Sequence, residues 1–133
     1  MLKKFLTTVF LAVGMFLAFT PQADARDVYC GTEPLFKTKI YLMTETLKYN
    51  EELGQLWWAH KGSYTIIAYV KSKEVRENGA TSYPNYYFTQ KTNGEVLFQK
   101  YDNPVGIHLT DNNYPIEHKM WETIQNEIAN RKN

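Results

Sequence analysis

Acid–base, nucleophilic and metal chemistry has few carriers in this chain: His60, His108, His118, a single cysteine at Cys30, and the adjacent carboxylates Glu51 and Glu52. No two histidines stand four apart, the spacing that sets two imidazoles on one helix face, and no second cysteine completes a thiolate pair. His118 falls on the polar side of a C-terminal helical pattern, where a solvated imidazole is expected. His108 follows Gly106-Ile107 and precedes Leu109, a setting that suits strand and loop equally. A metal site would require His60, His108 and Glu45 to converge from distant segments, and no metal or cofactor is expected. Catalysis at Cys30 would need a neighbouring base and a third, orienting group. Cys30 stands only a few residues into the expected mature chain, a poor platform for exact geometry, so burial as a small hydrophobe is expected instead. Glu51 and Glu52 read as solvated neighbours in a polar turn. No glycine-rich phosphate loop and no Gly-x-Ser-x-Gly elbow occurs, and enzyme activity has no support in these residues.

Aromatic residues are the larger resource. All ten tyrosines and three tryptophans follow residue 25, whereas four of the seven phenylalanines precede it. Tyr69, Tyr83, Tyr86, Tyr87 and Tyr101 fall in or beside segments that read as neighbouring strands. Such residues either stabilise a sheet by cross-strand pairing or form an open face that grips a sugar or a protein. Trp58, Tyr69, Tyr86 and Tyr87 are the candidate binding residues.

The elements that must position them follow from patterning. Residues 27–30 make a short edge strand. Residues 36–44 alternate so that Phe36, Ile40 and Leu42 share a face. Residues 64–73 place Tyr64, Ile66, Ala68 and Val70 on one face, with Thr65, Ile67, Tyr69 and Lys71 on the other. Residues 86–90 and 95–101 flank Asn93-Gly94, a strong hairpin signal, and send Tyr86 and Tyr87 to opposite faces. Asn78-Gly79 marks a further turn. From Pro115 the period changes: Ile116, Met120, Ile124 and Ile128 recur every four residues, widened by Trp121, with Glu117 in the first turn and Arg131 and Lys132 in the last. Residues 48–62 admit two readings. Leu53, Leu56 and Trp57 have helical spacing from about Asn50, but a strand over residues 55–60, turning at Lys61-Gly62, is preferred. A strand sends Trp57 and Trp58 to opposite faces, Trp57 towards the core beside Leu53 and Leu56. The fold class is α+β: a twisted antiparallel sheet of about four to six strands packed by one C-terminal helix.

The N-terminus has the layout of a secretory signal. A basic start at Lys3-Lys4 precedes an apolar run, which Pro21 and the small-residue tripeptide Ala23-Asp24-Ala25 close. Cleavage after Ala25 would leave residues 26–133 as a single domain. The apolar run is short for a membrane anchor, Cys30 lies too far beyond it for a lipid-attachment site, and no integral membrane segment follows. Removing Lys3, Lys4 and Asp24 leaves acidic and basic residues in balance, without the excess that phosphate neutralisation demands. Nucleic acid is therefore not an expected partner.

The order of features resembles the surface-adhesin protein E-like modules of the bacterial envelope. It combines a signal, a short strand, the segment carrying Tyr41, Thr44, Glu45, Thr46 and Leu47, the Ala68-Tyr69-Val70-Lys71 strand, a tyrosine-rich Asn-Gly hairpin and a final helix. Members of that family often carry paired cysteines, whereas this chain has Cys30 alone. The resemblance implies a noncatalytic secreted, periplasmic or cell-surface module that binds host proteins; with the aromatic residues, the expected partner is a protein or a glycan. Two alternatives are a small secreted hydrolase or thiol-dependent enzyme, with Cys30, a histidine and a carboxylate in one cleft, and an inhibitor of a secreted enzyme.

Overall fold

The structure is a computed structural model and describes residues 27–100, 103, 105–110 and 113–132. The expected signal peptide, its cleavage site and Tyr101 lie outside the described residues. Strands β1 (Asp27–Glu33), β2 (Thr38–Tyr49), β3 (Tyr64–Val75), β4 (Thr81–Ser82), β5 (Asn85–Lys91), β6 (Val96–Lys100) and β7 (Ile107–His108) form one antiparallel sheet. Its order is β1-β2-β3-β5-β6-β7, and β4 pairs with the far end of β3. The sheet curls as a half-barrel packed by one C-terminal helix, the one long helix among the described residues. A 3-10 turn (Asn50–Leu53) and a short helix α1 (Gln55–His60) separate β2 from β3, and α2 (Pro115–Lys132) closes the chain.

Hydrophobic periodicity accounts for most of this. Along β3, Ala68, Val70 and Ser72 are fully buried, and the intervening residues face away. The helix stripe is buried at Met120, Trp121, Ile124 and Ile128, against Leu42, Val70, Tyr86, Phe88 and Phe98 of the sheet. Trp121 stacks on Phe88 with ring centroids 5.8 Å apart and planes 17° from parallel. Burial of this kind contributes roughly 1.5–3 kcal/mol per large apolar side chain.

The helix comes close to β1 because of Gly31. That residue (φ 146°) ends a bulge after Tyr29, and a Cβ placed on it would lie 2.8 Å from Ile116 Cγ1. Only glycine combines that backbone with so near an approach. At the 91–94 turn the left-handed residue is Gly94 (φ 93°), with Gly94 N donating to Lys91 O at 2.9 Å and Lys91 N to Glu95 O at 2.8 Å. Asn93 instead uses its side chain, accepting from Glu95 N at 2.9 Å.

Two sequence expectations are corrected. Phe36 is not part of a core-facing strand: it lies in the β1–β2 turn and is 70% exposed. Glu33 makes that turn by accepting from Leu35 N and Phe36 N, each at 2.7 Å. Residues 55–60 form a helix, not a strand. β5 takes one side of β3 from Tyr64 to Lys71 and β2 takes the other only as far as Ala68, so a strand at 55–60 could join no more than residues 64–67, a stretch that Asn50 occupies. Where β2 leaves β3 after Tyr49, Asn50 takes over the ladder with its side chain, Oδ1 accepting from Ile67 N at 3.0 Å and Nδ2 donating to Thr65 O at 3.2 Å. Gly54 then reverses the chain, and Trp58 N bonds to Gly54 O at 3.1 Å to start the helix.

Candidate functional site

One sheet face is buried under α2, and the other carries two pairs of tyrosines, while the exposed rings of Phe36 and Trp58 lie in the β1–β2 turn and on α1. The ladder register sets them in rows. Tyr29 lies opposite Tyr41, which lies opposite Lys73. Two steps along β3, Tyr69 lies opposite Tyr87. The Tyr29 and Tyr41 rings are 5.5 Å apart, and Tyr69 meets Tyr87 edge-on at 4.9 Å. Tyr29 is 50% and Tyr87 37% exposed, while Tyr41 and Tyr69 are half-buried between strands. Cross-strand contacts hold each pair upright, so the rings are presented in a fixed array that loses little freedom on contact with a ligand.

The four expected binding residues part company here. Tyr69 and Tyr87 are brought together on the open face. Tyr86, one residue from Tyr87, faces the other way and is 2% exposed in the core, its ring 6.1 Å from Phe88, so it has no access to a ligand. Trp58 stands on α1, 58% exposed, with Lys61 Nζ 4.5 Å above its ring. Neighbouring Trp57 is buried at 8%. A helix separates consecutive residues by about 100°, enough to bury one ring and expose the next. Trp57 and Ile67 are buried outside the helix-side core, and the Asn50 bonds hold the 3-10 turn and α1 at the Ile67 end of the sheet. Tyr29 and Tyr41, not among the expected binding residues, complete the surface. Alternation placed Tyr41 opposite Leu42, but its meeting with Tyr29 depends on the bulge at Gly31.

A concavity of about 700 Å³ opens at the sheet end where the β1–β2 turn, the end of β3 and Lys100 meet. Lys100 Nζ is 2.7 Å from Glu74 Oε2, and Phe36 lies on the rim. That pair neutralises two of the concavity's charges, while Arg76 and Glu77 also line it. Glu117, in the first turn of α2, has its carboxyl raised above the ordinary carboxylate range by burial, against the opposing pull of Lys100 and His118.

The remaining chemistry-bearing residues are dispersed. Cys30 is buried and its thiol is pushed up to about 11 by burial; it stays protonated at neutral pH, a poor nucleophile. His108 bonds to Glu95 through Nδ1 at 2.5 Å. His118, expected to be solvated, is only partly exposed and contacts Thr110 O through Nε2. Among the described residues no group of three or more His, Cys, Asp or Glu side chains is placed to hold a metal ion, and no helix is long and apolar enough to cross a membrane.

The geometry therefore defines an α+β half-barrel, packed by one helix, with an open aromatic face. No protein-family model, curated protein or solved structure matches the chain.

Proposed function

We propose that this protein is an exported, noncatalytic binding module of the bacterial envelope or cell surface, and that the open sheet face is its recognition surface. The observation that carries this reading is the asymmetry of the sheet. An antiparallel sheet that only needs a core can cover its second face with small polar and charged residues, whereas this face carries two preformed tyrosine pairs, each with one ring exposed to solvent. Large, rigid, amphipathic rings are the residues that dominate contact hot spots. The secretory layout of residues 1–25 and the resemblance to surface-adhesin protein E-like modules supply the location, and Trp58 adds a further exposed ring on α1.

Arrays of glycans and of extracellular proteins, probed with the purified protein and with a Tyr69→Ala/Tyr87→Ala variant, test the assignment. At least one ligand should be bound by the parent and lost, by tenfold or more, in the variant. The variant should retain the parent's far-ultraviolet circular dichroism and a cooperative melt. Undiminished binding by a folded variant would remove the open face from recognition.

A further inference from the structure

The tyrosines of the open face stand among lysines. Between the two tyrosine pairs the register sets Met43, Lys71 and Asn85 in one row, with Lys73 beside Tyr41 and Lys48 beside Tyr69. Lys39 extends the same face towards the β1–β2 turn. Against these four lysines the rows hold one carboxylate, Asp27, 3.5 Å from Lys73. Lys71 donates to the neutral Asn85 Oδ1 at 2.9 Å. Lys39, Lys48 and Lys71 have no ion-pair partner among the described residues. Glu95, at the hairpin end, is already held by Lys91 and His108. On the other side of the sheet, Glu74 is paired with Lys100. Glu45, exposed in the bulge between Met43 and Lys48, is a further carboxylate beside these rows; four lysines thus stand against two carboxylates in a chain whose net charge is only +1.

We infer that the open face binds an acidic polysaccharide, with pyranose rings stacked on the Tyr29–Tyr41 and Tyr69–Tyr87 pairs and uronate carboxylates on Lys71 and Lys73. The inference rests on the open face being the recognition surface, and it assigns that surface a ligand class. Four residues of β3 separate Lys73, which is level with the first tyrosine pair, from Tyr69 in the second, a run of about 13 Å. A polymer lying along β3 therefore meets ring, charge and ring in turn. Sugar rings have apolar C–H faces that can stack on the one ring of each tilted pair that faces solvent, and Lys73 Nζ, 6.0 Å from the centre of the Tyr41 ring, puts charge and stacking within reach of one residue. The cations are lysines, strongly hydrated point charges, and none of these rows contains an arginine fork that would favour tight bidentate phosphate recognition. Binding is then the sum of several weak contacts on a repeating chain. The near-neutral chain argues against single-stranded nucleic acid, whose affinity comes from a larger basic excess.

Polygalacturonate, a neutral glucan and poly-dT, each titrated into the purified protein by calorimetry at 50 mM and 200 mM salt, separate the outcomes. Polygalacturonate should bind, weaken at the higher salt, and weaken at least tenfold in Lys71→Gln/Lys73→Gln. The neutral glucan should bind at least tenfold more weakly than polygalacturonate. An unchanged denaturant melt for the lysine variant keeps the comparison interpretable, and single Lys71→Gln, which touches no ion pair, serves if the double variant is destabilised. Equal affinity for polygalacturonate and the glucan, or tighter binding of poly-dT, overturns the ligand class but leaves the aromatic surface standing if Tyr69→Ala/Tyr87→Ala still abolishes binding. Polygalacturonate binding that survives the tyrosine variant overturns both readings.

Discussion

Arg131 should be worth about 2 kcal/mol to this fold, through contacts made across the molecule and not along its own helix. The β2–β3 ladder slips between Met43 and Lys48, which takes the carbonyls of the bulge out of register. Thr46 repairs part of the gap: its hydroxyl donates to Met43 O at 2.7 Å and accepts from Lys71 N at 2.8 Å. Arg131, in the last turn of α2, repairs more. Nη1 donates to Leu47 O at 2.9 Å and Nη2 to Thr44 O at 3.0 Å, while Nε meets Glu127 Oε2 at 2.9 Å. A guanidinium can do all three because its donors lie in a rigid fork. Hydrogen bonds to a charged partner contribute about 1.5–3 kcal/mol each. The side chain is 30% exposed, and water can reach part of what Arg131 vacates, so each carbonyl contact is discounted to about 1 kcal/mol. The pair with Glu127, four residues earlier, adds only about 0.3–0.5 kcal/mol.

Arg131→Met keeps the apolar stem and removes the fork, so it isolates the polar contacts. With a urea slope of about 1–3 kcal/mol/M for a small domain, a loss of about 2 kcal/mol moves the unfolding midpoint down by roughly 1 M. Arg131→Lys should lose about half as much, since one ammonium cannot serve both carbonyls in the same geometry. Glu127→Gln should stay within about 0.5 kcal/mol. The reasoning fails if Arg131→Met unfolds at the same urea concentration as the parent, or if lysine replaces arginine without loss.

The tryptophan pair gives a second contrast: Trp57→Ala should cost about 3 kcal/mol in the same melt, whereas Trp58→Ala, losing an exposed contact with Lys61, should cost less than about 1 kcal/mol. Equal losses would mean that α1 does not divide the two rings between interior and solvent. For Cys30, a maleimide should label the native protein no faster than it opens, and urea should accelerate labelling in step with unfolding. The pH dependence has a definite sign. Unfolded, the thiol ionises near its ordinary value of 9.0, and folded it holds its proton up to about 11. The native state therefore binds more protons between those values, and stability falls as pH rises through that window. Cys30→Ala should flatten that part of the profile in melts run at pH 9 and pH 11, and rapid native labelling at pH 7 would contradict the buried placement.

How much of this was legible in the sequence depended on the range of the interactions concerned. Residues 64–73 alternate because their neighbours on both sides are strands, and the i, i+4 stripe of α2 is a local consequence of one face meeting the sheet. Both patterns survive in the sequence without knowledge of partners. Phe36 misled because alternation cannot report where a strand begins. Pro34, a common turn former, and Glu33, three residues before Phe36, were the available signs that the chain was still turning. Residues 55–60 span fewer than two helical turns, too few for periodicity to separate helix from strand. The deciding fact, that Asn50 bonds to the edge of β3 left open where β2 ends, is tertiary.

The open face shows the same division more sharply. That Tyr86 and Tyr87 face opposite ways follows from strand parity alone. Which tyrosine meets which ring, and where the lysines fall, follows from register, and register here depends on two irregularities. The bulge at Gly31 aligns Tyr29 with Tyr41, and the slip after Met43 lets Lys48 come level with Tyr69. A one-residue change in either would turn the affected strand over and send its aromatic or basic residues towards the core. Beside the Thr46 hydroxyl, two contacts hold those irregularities, the close approach of Ile116 to Gly31 and the Arg131 fork on Thr44 and Leu47, and both belong to α2. The helix thus does more than cover the hydrophobic face: from the buried side it fixes the register that arranges tyrosines and lysines on the exposed one. Disturbing either end of α2 should therefore alter ligand binding at a surface the helix never touches.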